Sequence, residues 1–231
     1  MGYTISGVQS FTYRGAHTDS RRGNAMILHP DEVHDGRAGA EQGFRYRMAY
    51  IEPRLIADAL RGRTNALPFM RNAVSSDPSL RAAIRQALAD LDRPLEPLER
   101  DKIVTAIADA LLALDTSIPA RTASATSTRA VDLARAFLDE HFMRTVASEE
   151  LEAVTGLDRY ALARHFRTRL GTSPYRYLTM RRLDRVKSSI SAGHSLVAAA
   201  VMSGFADQSH MTRQFKRAFG LTPGHWHVLQ G

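Results

Sequence analysis

An internal repeat in the last hundred residues limits the possible folds more than any other feature. The first copy reads Gly156-Leu157, then Leu162, Ala163, Arg164, Phe166, Arg167, Gly171 and Pro174. The second reads Gly204-Phe205, then Met211, Thr212, Arg213, Phe215, Lys216, Gly220 and Pro223. From the Leu/Met position to the proline the offset is a constant 49 residues, and for the glycine pair it is 48. Chance does not preserve spacing and residue class together, so the segment holds two copies of one small unit.

Each copy reads as helix, tight turn, helix. In the first, Ser148 can cap a helix whose first turn carries Glu149 and Glu150, favourable at the positive end of the helix dipole. Thr155-Gly156-Leu157 turns, and Asp158 caps a second helix with Leu162, Phe166 and Leu170 inward. That leaves Arg159, Tyr160, Ala163, Arg164 and Arg167 facing out. In the second copy Ser195 and Asp207 are the caps, and Met211, Phe215 and Phe219 face inward. Gln208, Ser209, Thr212, Arg213 and Lys216 then face out. Arg can bond guanine through two N–H groups and Gln can do so with adenine, so both outer faces suit a DNA major groove. Ala163 carries no donor or acceptor, so the first face would read through Tyr160 and Arg164. A helix from Pro174 to about Ser191 joins the units and spans about 27 Å. With the helix radii added, the two reading helices come about 34 Å apart, one turn of DNA. Arg176, Arg181, Arg182, Arg185 and Lys187 on this joining helix are placed to grip phosphate.

The charge is divided in the same sense. Residues 128–231 hold 15 Lys+Arg and 9 Asp+Glu, a net of +6 out of +7 for the whole chain. A basic half points to a polyanionic partner. There is no cysteine, which excludes disulfides and thiolate metal sites. No apolar run reaches the eighteen or so residues of a membrane span, and the N-terminus has no signal-peptide pattern, so a cytoplasmic protein with no membrane partner is expected.

The N-terminal half reads differently. Tyr3–Ile5, Ser10–Tyr13, Ala25–Leu28 and Phe44–Ile51 are β-prone, and Phe44, Tyr46, Met48 and Tyr50 alternate onto one face. Pro53 can open a short helix through about Leu60. From Asp77-Pro78 the period becomes helical, with Leu80, Ile84, Ala87, Leu88 and Leu91 in one stripe. Pro94 and Pro97 interrupt it, and Ile103, Ile107, Leu111 and Leu114 form a second stripe. These two helices either cover the sheet or leave a stripe for a homodimer seam. Residues 117–127 are small and polar and read as a linker.

At this point a family can be named. Arg159 to Arg167, through Gly171-Thr172-Ser173-Pro174 to Arg182-Leu183, resembles the first half of an AraC-type DNA-binding domain. Gly204 to Lys216, ending Gly220-Leu221-Thr222-Pro223, resembles its second half. The resemblance implies a seven-helix, two-unit reader of double-stranded DNA and a transcription activator that contacts RNA polymerase. Gly23 to Gly36 and Gly43 to Arg47 are similar to the later part of the cupin-like effector domain of that family, which implies a barrel incomplete at its N-terminus. Glu152 departs from the family's pattern, where a small residue is common.

The expected architecture is therefore α+β. A partial cupin-like β domain with a helical pair occupies 1–116, a linker 117–127, and an all-α double helix-turn-helix domain 128–231. The expected DNA contacts are Arg159, Tyr160, Arg164, Arg167, Gln208, Ser209, Thr212, Arg213 and Lys216. A small-molecule effector would meet His34, Arg45 and Tyr46. The alternatives are a cupin-type metal enzyme using His17, His29 and His34, and a constitutive DNA binder without a complete effector pocket. A metal enzyme needs converging N/O ligands, and no His-x-His pair precedes Gly23, so no metal or other cofactor is expected.

Overall fold

The computed structural model describes residues 1–29, 35–90, 93–118 and 127–229. The chain forms two compact bodies, Met1–Leu95 with Ile103–Ser124, and Glu96–Lys102 with Ala125–Gly231. The segment Glu96–Lys102, expected in the first domain, belongs to the second.

The N-terminal body is built on strand β1 (Gly2–Tyr13), which unites two segments expected to be separate. Its outer half pairs antiparallel with β2 (Ala16–Arg21) across the two-residue turn Arg14–Gly15, and with β4 (Arg37–Ala38). Its inner half pairs with β3 (Ala25–Met26) and β5 (Phe44–Met48). The pairing with β5 shifts register at an irregularity between Thr4 and Ser6. Beside it Gly7 has φ +71°, and a Cβ there would sit 2.0 Å from the Gly43 carbonyl oxygen. Only glycine allows this close crossing of strands. Helix α1 (Pro53–Ala59) follows, then β6 (Val74–Ser75) at the sheet edge beside β3. Phe11, Tyr13, Met26 and Ala73 form one core cluster.

Helix α2 (Pro78–Ala87) begins as expected, with the Asp77 carboxylate accepting from Leu80 N–H at 2.8 Å. Helix α3 (Pro97–Leu114) is shared between the bodies. Ile103, Ile107 and Leu111 are each at most 5% exposed. At these three positions the stripe is buried inside the chain, which favours the first of the two readings of the helix pair. Arg63 and Asp109 form an ion pair, and Asp115 accepts from Phe69 N–H, so α3 clamps the 63–70 loop.

The C-terminal body contains α4 (Thr128–His141), α5 (Ser148–Thr155), α6 (Arg159–Leu170), α7 (Pro174–Ser191), α8 (Leu196–Met202), α9 (Gln208–Phe219) and α10 (Pro223–Val228). Its core has two parts, matching the repeat. Leu138, Leu151, Leu162, Phe166 and Leu178 belong to one. Leu183, Val186, Ala199, Met211 and Phe215 belong to the other. Asp158, Ser195 and Asp207 cap as expected. Helix α5 starts one residue early, so Ala147 is the cap and Ser148 lies in the first turn. The linker expectation falls mostly on 119–126, outside the described residues.

Candidate nucleic-acid interface and effector cavity

Helix α9 is held by its inner side. Met211 and Phe215 are fully buried, and Phe219 packs edge-on against Phe215 with ring centroids 4.7 Å apart. The Asp207 carboxylate accepts from His210 N–H at 2.7 Å, which holds it below the usual carboxylate range. With the inner side fixed, Gln208, Ser209, Arg213 and Lys216 are exposed and Thr212 is half-buried. The structure thus gathers all five second-unit candidates on one open, cationic face with side-chain donors suited to base edges.

Helix α6 has the same inner side but not the same outer one. Leu162 and Phe166 are buried, Arg167 is exposed and Arg164 half-buried. Tyr160 is 7% exposed and Ala163 5%, so the expectation that both face solvent is wrong. At Ala163 the cause is a neighbour far away in sequence. Leu98, Asp101 and Lys102 from the start of α3 line one narrow cleft with Arg159, Leu162, Ala163 and Pro174. Helical periodicity cannot register such a cover.

Arg159 is also not a projecting base reader. Its Nε and Nη2 lie 2.9 and 3.0 Å from Glu152, and Nη2 lies 2.7 Å from Glu149. Glu152 first, then Glu149, raise its pKa beyond the ordinary arginine value, and Arg159 depresses both carboxylates. Glu152 makes the most contacts with it.

Two expected phosphate contacts on α7 are engaged elsewhere. Arg182 is 1% exposed and donates to the carbonyls of Phe142 and Arg144 and to Glu96. The Lys187 ammonium lies 3.6 Å from the centroid of the Phe219 ring, a cation–π contact that fixes it against the second unit's core. Arg185 remains exposed.

In the N-terminal body the structure describes two of the three expected effector residues. Arg45 and Tyr46 are exposed on β5, and His34 lies outside the described residues. A cavity with about 570 Å³ of empty space, part of it open to solvent, lies elsewhere. Its walls include Ile27, His29, Tyr50, Ile56, Met70 and Leu111. His29 Nε2 accepts from Met70 N–H at 3.2 Å, and its ring stacks on Phe69. The sequence drew attention to His29 only as a metal ligand. Nothing local could have joined Met70 or Leu111 to it. Among the described residues no three His, Asp or Glu side chains are grouped to hold a metal, and no helix is long and apolar enough to cross a membrane.

Comparison with known proteins follows the same division. The AraC-like ligand binding domain matches residues 1–108, and a helix-turn-helix domain matches residues 151–227. The uncharacterized HTH-type transcriptional regulator YbfI of Bacillus subtilis is 25% identical over 82% of this chain and 70% of its own length. The HTH-type transcriptional activator RhaS of Salmonella schwarzengrund is 32% identical over 38% of this chain, which spans about a third of that protein (32%). Among solved structures, a probable AraC family regulator from Rhodopseudomonas palustris aligns with 44% of this chain and 96% of its own, at 26% identity and a TM-score of 0.41. With a ligand-binding domain matched in its first half and a helix-turn-helix domain in its second, the chain belongs to the AraC family of DNA-binding transcription regulators.

Proposed function

We propose that this regulator is an effector-responsive activator that reads a specific duplex with α9 in one major groove and α6 in the next. The observation that carries the reading is the open face of Gln208, Ser209, Thr212, Arg213 and Lys216, opposite a helix side locked by Met211 and Phe215. Arg213 and Gln208 supply the donors that discriminate bases, and Lys216, with Arg167 in the first unit, grips phosphate. Arg164 occupies the Arg213 position in the first repeat. The cavity beside His29 receives a small, largely apolar effector, with the imidazole as its polar anchor. In this reading the chain performs no catalytic step, works in the cytoplasm, and acts on RNA polymerase as a monomer or homodimer.

The test is selection of duplexes from a random library with the full chain, followed by affinity measured against salt. A recovered motif with two half-sites about one helical turn apart, and affinity falling linearly in log–log form with salt, is expected. A folded chain that enriches no sequence would overturn the reading. Small apolar and aromatic acids that raise the melting temperature should also change the affinity for the selected duplex. Stabilisation with no change in affinity would make the protein a constitutive binder.

A further inference from the structure

The two repeat copies act as internal controls for each other. Arg159, Tyr160 and Ala163 correspond to Gln208, Ser209 and Thr212. In the second copy Gln208 and Ser209 are exposed and Thr212 half-buried. In the first copy Tyr160 and Ala163 are buried and Arg159 is half-buried. One inherited geometry therefore has one open reading face and one closed one.

Over Ala163 and Arg159 the cover is the segment Glu96–Lys102, which belongs to the same compact body as the two units. Leu98 enters the first unit's core cluster. The Asp101 carboxylate accepts a hydrogen bond from Ser148 Oγ in the first turn of α5 and lies 3.9 Å from Arg159 Nη1. Lys102 Nζ lies 5.8 Å from the centroid of the Tyr175 ring. A carboxylate held by a first-turn hydroxyl and an arginine occupies the kind of position in which a helix-turn-helix unit takes a DNA phosphate. We propose that Glu96–Lys102 is an intramolecular mask, with Asp101 standing in for a phosphate, that must leave α6 before the first unit can engage DNA.

The proposal rests on α6 being a DNA-facing helix, and its test keeps the two ideas apart. The chain has no cysteine, so the full-length double variant Asp101→Cys/Ser148→Cys carries a single possible disulfide. Oxidised glutathione should close it and dithiothreitol reopen it. The probe is a fluorescent duplex selected from a random library by the unaltered chain. The oxidised form should bind about a hundredfold more weakly than the reduced form, because one of two tethered units is lost. Its hydroxyl-radical footprint should shrink to one half-site. Failure of the pair to oxidise overturns the placement of Asp101. Equal affinity and equal footprints of the two forms overturn the mask. Loss of binding in both forms, with the helical circular dichroism intact, overturns the DNA reading of α6 itself. A second arm needs no crosslink. Asp101→Asn should bind several-fold more tightly than Glu140→Gln, which removes the same charge from an exposed site on α4. Equal gains for the two would mean that only net charge changed, and would overturn the mask.

Discussion

Arg182 Nη1 donates to both carboxylate oxygens of Glu96, at 2.8 and 2.9 Å, across 86 positions of sequence. The guanidinium is 1% exposed and also serves the carbonyls of Phe142 and Arg144. Removing one partner from a buried pair leaves the other uncompensated. Arg182→Met is expected to cost about 3–5 kcal/mol of stability in urea denaturation. Glu96→Gln should cost less, since the two carbonyl contacts survive. Equal and small losses for both variants would show that the pair contributes little.

Arg213 and Arg164 hold equivalent places, two residues before the inward phenylalanine of each copy. Arg213→Ala is expected to lose about 1–3 kcal/mol on the selected duplex and to relax preference at one or two base pairs. Arg164→Ala should relax preference about one helical turn away. Random-library selection with each variant is the measurement. Retention of the parental preference by both would reduce these arginines to phosphate contacts. Lys187→Ala, in contrast, should lower the melting temperature without a matching loss of DNA affinity in the folded protein, because its ammonium is spent on Phe219.

Burial, and then the neighbouring charge of Arg176, push the Lys102 amine down to about 8. Between pH 8 and 10.5 the unfolded chain therefore binds more protons at this group than the folded one, and folding stability rises with pH across that window. Well below pH 8 the folded state bears the full cost of holding the charge, about 3 kcal/mol. Lys102→Met should accordingly melt above the unaltered protein at pH 7, and the gap should narrow as pH climbs from 8 toward 10.5. A gap that stays constant in thermal melts over that range would remove the charge-burial explanation.

Gly204 has φ +76°, and a Cβ there would lie 2.7 Å from the carbonyl carbon and oxygen of Met143. Gly156, in the equivalent turn of the first unit, has φ +70° and open space around it. Gly156→Ala should cost only the left-handed backbone penalty, about 1–2 kcal/mol. Gly204→Ala should cost clearly more, because two backbones must also separate. Comparable losses in denaturant titrations would mean that the α8–α9 turn moves aside freely.

Much of this protein was decided locally. The caps at Asp77, Asp158, Ser195 and Asp207, the inward Phe166 and Phe215, and the constant offset between the two units depend on spacings of a few residues along one helix. A linear sequence records such spacings directly, so the double helix-turn-helix architecture and the open face of α9 were legible without coordinates. Tertiary structure decided what lies on top of those local elements. Tyr160 and Ala163 satisfy the rule for an outward face and are nonetheless buried, Ala163 because residues 98–102 come from a different part of the chain to line that face. Arg182 and Lys187 look like solvated cations on α7, yet one closes a buried ion pair and the other rests on an aromatic ring. The cavity wall joins His29, Met70 and Leu111, which no helical or strand period connects. Periodicity tells which side of an element turns toward its own core, while exposure of the other side depends on contacts between residues distant in sequence, and those exist only once the chain has folded.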